Sequence, residues 1–233
     1  MDQIIALKVP FRFGNVGDII YPAVLLDDRE MVLVDCGYTG FLPQMEKAFG
    51  EQGLNCGNLA KIVVTHHDHD HMGALADFKE KYPQIQVLAG CGEVPYIEKL
   101  KKALRLEQAE RMQAGLPADQ KGFGKAFCEV LKRVKPAFVD SAVHGGDSFG
   151  WCGGCEIIDT PGHTPGHISL YLKQWKTVIT GDAATVQNGR LVVANPEYAD
   201  NLGQAQKSLE KLLALDADTY LCYHGGFYRK GKA

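Results

Sequence analysis

The residues most able to do chemistry lie in one short run over 65–71, which reads THHDHDH. The run holds four histidines and two aspartates and follows an apolar stretch over 61–64 that predicts a buried strand. Six ionisable side chains at the end of a buried strand are costly to desolvate unless they bind cations or reach water. Imidazole and carboxylate groups are the usual protein ligands of zinc, manganese and iron. The run therefore predicts a metal site rather than a solvated polar loop.

Three more residues of the same types recur downstream: His163 in Thr-Pro-Gly-His, Asp182 in Thr-Gly-Asp and His224 in Tyr-His-Gly-Gly. Upstream, Asp35 closes a predicted strand over 31–34. In this order, and with the first run anchored on Asp70-His71-x-Gly73, the chain resembles the metallo-β-lactamase superfamily over nearly its whole length. That family's signature is His-x-His-x-Asp-His after a strand, then a distant His, an Asp and a final His.

The resemblance implies a four-layer αββα sandwich with a two-metal site at one edge of its two sheets. Carried over by position, it implies that site one uses His66, Asp68 and His163. It implies that site two uses Asp70, His71 and His224, and that Asp182 bridges both ions. Asp70 and Asp182 are then the expected catalytic residues. The expected cofactors are two divalent ions, zinc first, with manganese or iron as alternatives.

Asp68 departs from the family pattern, because it stands where the second histidine is usual. A shifted register would make His67, His69 and His71 ligands, but it would forfeit the Asp70-His71 anchor, so Asp68 is the preferred ligand. His67 and His69 are then expected to face the entrance of the site or to hydrogen-bond backbone. Three aspartates and one hydroxide would balance two divalent cations. We therefore expect a less acidified bound water and better tolerance of Mn²⁺ or Fe²⁺.

Several smaller features favour structural roles. His167 is expected to orient a neighbouring loop or ligand, and Asp35 is expected to accept backbone hydrogen bonds near the metal loop. Cys152-Gly-Gly-Cys155 is interpreted as a hairpin turn rather than a redox or zinc motif. Tyr223 precedes His224, and both contact with an oxyanion and simple packing fit its position.

Hydrophobic periodicity supplies the elements that must position these residues. A single domain over 1–233 is predicted, with a helical insertion at about 93–135 that fits a lid, a pocket wall or a dimer contact equally well. Strands followed by helices and then strands again indicate a layered α/β sandwich. Strands are predicted over 4–9, 19–26, 31–34, 61–64, 86–89, 155–159, 168–172, 177–180, 191–193 and 219–222. Helices are predicted over 41–49, 73–81 and 202–215, with two more in the insertion, broken around 115–117.

The composition narrows the range of binding partners that we expect. The formal net charge of −3 gives no reason to expect binding to nucleic acid or to an anionic membrane. The basic cluster of Arg229, Lys230 and Lys232 is interpreted as a solvated tail. No apolar run suits a signal peptide or a membrane span, and the seven cysteines are scattered, which favours reduced thiols in a cytoplasmic protein. The expected partner is a small-molecule substrate, with a homodimer possible.

The leading functional hypothesis is hydrolysis of a small acyl or ester-type bond, such as a thioester or lactone. A hydroxide held between two cations is nucleophilic at neutral pH, because the pKa of metal-bound water can fall to about 7. The nine residues after His224 disfavour glyoxalase II itself, which carries a C-terminal glutathione-binding region. A di-iron redox protein similar to flavodiiron proteins is the main alternative, since those carry a carboxylate at the place of Asp68. It would reduce oxygen or nitric oxide with a separate electron donor. A metal-binding protein without catalysis is the third hypothesis.

Overall fold

The computed structural model describes residues 2–13 and 16–231. Its strands are β1 (Gln3–Ala6), β2 (Val9–Phe13), β3 (Val16–Ile20), β4 (Ala23–Leu26), β5 (Met31–Val34), β6 (Leu59–Val64), β7 (Gln86–Gly90), β8 (Ser141–Val143), β9 (Ser148–Phe149), β10 (Cys155–Asp159), β11 (Ile168–Leu172), β12 (Thr177–Ile179), β13 (Thr185–Gln187), β14 (Arg190–Val192), β15 (Thr219–Cys222) and β16 (Gly226–Arg229). Its α-helices are α1 (Leu42–Glu51), α2 (Leu75–Lys81), α3 (Val94–Ile97), α4 (Leu104–Gly115), α5 (Lys121–Lys132) and α6 (Leu202–Leu213).

Two six-stranded sheets form the middle of the molecule. The first has the order β1-β4-β5-β6-β7-β8, and its strands from β5 to β8 run parallel. The second has the order β16-β15-β12-β11-β10-β9, in which only the β12–β15 pair is parallel. Parallel neighbours end at the same edge of a sheet, so the loops that follow them gather there.

Side-chain alternation along the strands builds three layers of core. In β5, Val32 and Val34 pack between the two sheets, where they meet residues such as Leu170 of β11. The intervening Leu33 faces the other way, toward helices α1 and α2. Across the second sheet, Tyr220 of β15 packs under α6. Since each sheet buries one face against the other sheet and one against helices, the predicted four-layer αββα sandwich is confirmed.

The segment over 93–135 is helical, as predicted, but it contains three helices rather than two. The additional helix is the short α3, which follows Glu93 and has Pro95 in its first turn. Helices α4 and α5 form a hairpin with its own small core of Ala109, Cys128 and Leu131. The longest helices of the described chain have twelve residues, too short to cross a bilayer.

Several predicted strand boundaries are wrong. The predicted strands over 4–9 and 19–26 each divide in two, because β2 and β3 leave the first sheet as a separate antiparallel hairpin. Arg229 is not in a solvated tail: it belongs to β16, which pairs with the exposed edge of β15, while Lys232 lies outside the described residues. Strands β8, β9, β13 and β16 were not predicted, because two to four residues are too few to show alternation.

The Cys152–Cys155 motif is a turn between β9 and β10, as predicted. Two glycines separate the cysteines, and both adopt positive φ angles. All seven cysteines are free thiols, and six of them, including Cys152 and Cys155, are buried. The two glycines therefore allow the turn in which the chain reverses and β9 pairs with β10.

Phe49 is fully buried between α1 and the first sheet and provides a test of this layer. Phe49→Ala should lower the free energy of unfolding by about 3–5 kcal/mol, because it leaves a cavity beneath the helix. Denaturant unfolding followed by circular dichroism measures the loss. Lys47→Ala, at an exposed position of the same helix, should leave stability unchanged. Equal stabilities for the two variants would contradict this packing.

Candidate metal centre

Loops from both sheets meet at one edge of the sandwich and bring all seven predicted ligands together. The loop after β6 supplies four of them, and the β10–β11 loop, the end of β12 and the end of β15 supply one each. In chain order they are His66, Asp68, Asp70, His71, His163, Asp182 and His224. Ligand positions at the carboxyl ends of strands are typical of layered α/β folds.

These residues form three overlapping groups that could hold metal ions, with the ligand atoms of each group within 4.8 Å of one another. One group is His66, Asp68 and His163, and another is Asp70, His71 and His224. The third joins Asp182 to His66 and His71, so Asp182 lies between the other two groups. The groups coincide with the two ligand sets and the bridging position that the resemblance implies.

Three atoms at the centre are buried without hydrogen-bond partners: His66 Nε2, His71 Nε2 and Asp182 Oδ1. An unpaired buried polar atom costs about 1–3 kcal/mol, so native structures rarely keep several side by side. The nearest approaches join an imidazole to a carboxylate, at 3.0 Å for His224 Nε2 and Asp70 Oδ2 and at 3.1 Å for His163 Nε2 and Asp68 Oδ2. His71 Nε2 lies 3.3 Å from Asp182 Oδ1. Divalent ions would satisfy these atoms, and the donor set of imidazole nitrogens and carboxylate oxygens suits them.

Asp35 and Thr65 orient the two innermost imidazoles. Asp35 accepts hydrogen bonds from the Thr65 amide and hydroxyl, both at 2.8 Å, and lies 2.9 Å from Nδ1 of His71. Because the Thr65 hydroxyl donates to Asp35, its oxygen is free to accept from Nδ1 of His66 at 3.1 Å. Both rings therefore turn Nε2 toward the centre, which is the arrangement that metal-ligating histidines require. Asp35 has the structural role predicted for it.

His167 orients Asp182 in a similar way. The Asp182 amide donates to His167 Nε2 at 3.0 Å, so Nδ1 of His167 carries the proton and faces the Thr160 hydroxyl at 2.9 Å. Burial, together with the nearby His66, holds the pKa of His167 well below its usual range, which keeps the ring neutral. His167 thus fixes the backbone at Asp182, in line with the expected orienting role.

Glu93 is a functional candidate that the sequence interpretation placed only at the start of the helical insertion. It is fully buried, and it accepts hydrogen bonds from the His67 amide at 2.9 Å and from the Thr164 hydroxyl and the Gly166 amide, both at 2.8 Å. Its carboxylate also contacts the His67 ring. Burial alone would raise the pKa of Glu93, but the adjacent His67 lowers it below the ordinary value. Glu93 therefore joins the loop after β6 to the β10–β11 loop as a buried carboxylate.

His67 and His69 lie outside the three candidate metal groups. The His67 ring stacks on Tyr96 with centroids 4.3 Å apart, and its Nε2 accepts the Leu104 amide at 3.3 Å. His69 lies edge-on to Phe127 of α5, with ring centroids 5.7 Å apart. His67 is buried and accepts a backbone amide, which is one of the two roles expected for it, and both rings connect the metal loop to the helical insertion.

Tyr223 packs against the centre and does not point into it. Its hydroxyl donates to the Asp70 carbonyl at 2.5 Å, and its ring centroid lies 3.9 Å from that of His71. Of the two roles that the sequence allowed, the structure selects packing, since the hydroxyl proton is already engaged.

Gly181 shows how tightly this edge is packed. It has a φ of +52°, and a Cβ atom there would lie 2.7 Å from His167 Nε2 and 2.8 Å from Thr65 Oγ1. A side chain at this position would therefore strain the backbone and displace two of the residues that orient the centre.

Comparison with known proteins agrees with this geometry. The family model of the metallo-beta-lactamase superfamily matches residues 17–224, so the chain belongs to that superfamily. It is 26% identical to the probable metallo-hydrolase YqjP of Bacillus subtilis, over 96% of this chain and 72% of the relative. It is 29% identical to a hydroxyacylglutathione hydrolase of Ruegeria pomeroyi, over 93% of this chain and 64% of that protein. A metallo-beta-lactamase family protein from Thermus thermophilus shares the fold, with a TM-score of 0.72, 21% identity and coverage of 97% of this chain and 74% of the other.

Thr65→Val tests the orientation of the imidazoles. The substitution keeps the volume but removes the oxygen that faces His66, so zinc affinity should fall about tenfold. Competition with a chromophoric chelator measures this affinity. Thr177→Val, which removes another buried hydroxyl in β12, is the matched control and should bind zinc like the wild type. Identical affinities for all three proteins would show that Thr65 does not orient the ring.

Glu93→Ala tests the link between loops. It leaves buried donors on His67, Thr164 and Gly166 unpaired and should lower the free energy of unfolding by about 3–5 kcal/mol. Glu93→Gln keeps one acceptor oxygen, so its free energy of unfolding should fall by less, and it provides a variant that folds. Glu129→Ala, at an exposed position of α5, should leave stability unchanged. Thermal unfolding checks all three, and a Glu93→Ala protein as stable as the wild type would refute this role.

Proposed function

We propose that the protein is a metal-dependent hydrolase that cleaves a small acyl or ester-type bond, such as a thioester or lactone. The observation that carries the proposal is the pair of adjacent ligand groups with Asp182 between them and with buried, unpartnered nitrogen and oxygen atoms. The similarity to a protein named as a hydroxyacylglutathione hydrolase supports an acyl compound as the substrate class.

In this proposal, His66, Asp68 and His163 hold one divalent ion, while Asp70, His71 and His224 hold the other. Asp182 contributes to both sites. Such ions supply a water whose pKa is lowered to about 7 and a Lewis acid that polarises the substrate carbonyl.

The chain's own residues set the charge and the direction of approach. Burial alone would raise the pKa of Asp70, but His71 and His69 beside it lower it, so the carboxylate is ionised at neutral pH. His66 and His71 are fully buried, whereas the side chains of Asp68, Asp70 and His224 are partly exposed. Substrate would therefore reach the centre from the side of these three residues. We assign Asp70 and Asp182 as the catalytic carboxylates, which orient the attacking water by accepting its hydrogen bonds.

Asp68 makes the centre richer in oxygen than the usual family pattern. Its Oδ2 lies 3.1 Å from His163 Nε2, within the first ligand group. We propose zinc as the resident metal because the four imidazoles of the centre suit it. The third carboxylate neutralises more of the metal charge and favours harder ions, so we also propose that manganese or iron is tolerated. Elemental analysis of protein produced without added zinc tests this point. Near-exclusive zinc under those conditions would contradict the tolerance.

The position of Asp68 in the first ligand group also supports a second candidate function. This candidate is a di-iron redox protein that reduces oxygen or nitric oxide with a separate electron donor. Iron-loaded protein would then consume oxygen in the presence of a chemical reductant and an electron-transfer mediator. A rate no higher than that of the zinc-loaded protein would remove this candidate.

Asp182→Asn tests the hydrolase proposal. The change removes the negative charge between the two ligand groups and should lower kcat/KM by about 10²–10³-fold on any member of a lactone, thioester and phosphodiester panel that the zinc-loaded protein hydrolyses. Asp216→Asn, at an exposed carboxylate in the loop between α6 and β15, is the matched control and should retain full activity. The proposal fails if the wild-type protein hydrolyses no lactone or thioester, or if Asp182→Asn hydrolyses them equally well.

A further inference from the structure

A cavity of about 320 Å³ opens between the metal loop and the helical insertion. On the loop side it is lined by His67 and His69, and Nδ1 of His69 lies 3.3 Å from Oδ1 of the proposed ligand Asp70. A group bound in this cavity would therefore lie beside the proposed reaction centre and could belong to the same substrate molecule.

The insertion side of the cavity is strongly cationic. Five positively charged residues line it, and no aspartate or glutamate does among the residues that the structure describes: Lys99, Lys101, Lys102, Arg105 and Lys132. This charge does not reflect the overall composition. Residues 93–135 hold ten lysines and arginines against six acidic residues, which gives +4, whereas the remainder of the chain carries −7. The positive charge is therefore concentrated on the element that covers the centre.

Three of the five cations have no acidic partner. Lys102 pairs with Glu110 and Lys132 pairs with Glu129, but no carboxylate in the described chain lies within 4 Å of Lys99, Lys101 or Arg105. Such free cations are available to a ligand, because no internal ion pair must be broken first.

Arg105 is also held in place. Its guanidinium carbon lies 3.5 Å from the ring centroid of Tyr198 and 5.4 Å from that of Phe127. Its Nη1 donates to Gln108 Oε1 at 3.4 Å, and the rest of the guanidinium edge remains available to donate. Stacking also lowers the entropy lost when a carboxylate or phosphate is bound. The first turn of α4 borders the cavity at Ala103, Arg105 and Leu106 and adds the positive end of the helix dipole.

We infer that this cavity binds an anionic group of the substrate, a carboxylate or a phosphate, at a distance from the bond that is cleaved. The inference rests on the proposed hydrolase function, and it narrows the substrate to an acyl ester, thioester or lactone that carries negative charge. Three aspartates and one hydroxide would leave the metal-loaded centre without net positive charge to attract such a substrate, and the cationic cavity supplies that charge. Contacts this far from the cleaved bond act equally on bound substrate and transition state, so they lower KM and leave kcat unchanged.

The kinetic test uses two thioesters of one neutral thiol, a succinyl and a butanoyl compound, with zinc-loaded protein. The Lys101→Gln/Arg105→Gln variant should raise KM for the succinyl thioester by about tenfold or more and leave kcat unchanged. The butanoyl thioester should be hydrolysed equally by variant and wild type. Lys121→Gln/Lys125→Gln removes the same two positive charges on exposed positions of α5, outside the cavity, and should behave like the wild type. If the Arg105 substitution prevents folding, Lys99→Gln/Lys101→Gln in the exposed loop serves instead.

A binding test separates the inference from the proposed activity. Calorimetric titration of the same zinc-loaded proteins with succinate and with inorganic phosphate should show weaker binding in the double variant, and the tighter anion identifies the carboxylate or the phosphate as the preferred group. If succinate and phosphate bind the wild type and the double variant with equal affinity, they bind at the metal ions alone. That result would overturn the inference and leave the proposed hydrolase function intact. Loss of anion affinity in a protein that hydrolyses no ester would support the cavity and refute the proposed function.

Discussion

The structure depends on keeping several imidazoles and carboxylates buried together at one edge of a sandwich. Desolvating such groups costs several kcal/mol each unless they are paired, hydrogen-bonded or bound to cations. The chain meets this constraint with fixed hydrogen bonds behind the centre. Asp35 and Thr65 hold the rings of His66 and His71, and His167 holds the backbone of Asp182. His66 Nε2, His71 Nε2 and Asp182 Oδ1 are left buried without partners at the centre, which is why the centre suits metal ions.

The two sheets make this convergence possible because each contributes loops to the same edge. Close approach of the backbone then brings those loops together. A Cβ atom on Gly90, at the end of β7, would lie 2.2 Å from the carbonyl oxygen of Gly166 in the β10–β11 loop. Glu93 lies three residues further on and accepts a hydrogen bond from the Gly166 amide. This hydrogen bond holds together the two loops whose close approach the glycines permit. The sheets thus supply the position of the centre, and a few buried polar contacts supply its precision.

The helical insertion divides the molecule electrostatically. Acidic residues dominate the sandwich, including the three aspartates of the centre, whereas the insertion is net cationic. His67 joins the two parts, because its backbone and ring contact Glu93 while its Nε2 accepts the first amide of α4. The helical insertion is therefore attached to the metal loop itself, and its positive charge lies beside that loop.

Local pattern predicted a layered α/β sandwich with a helical insertion, because strand alternation and helical spacing are written in neighbouring residues. The αββα layers and the seven residues that meet at the centre came from the resemblance of the short ligand motifs to a known family. Local pattern was not enough to reveal the β2–β3 hairpin or β16, whose pairing depends on which strand edges the fold leaves open. Nor could it assign Glu93, since a glutamate at the start of a helical segment is ordinarily solvated. Only the tertiary structure buries it under four donors from two distant loops, and hydrogen bonds between distant segments leave no periodic trace in a sequence.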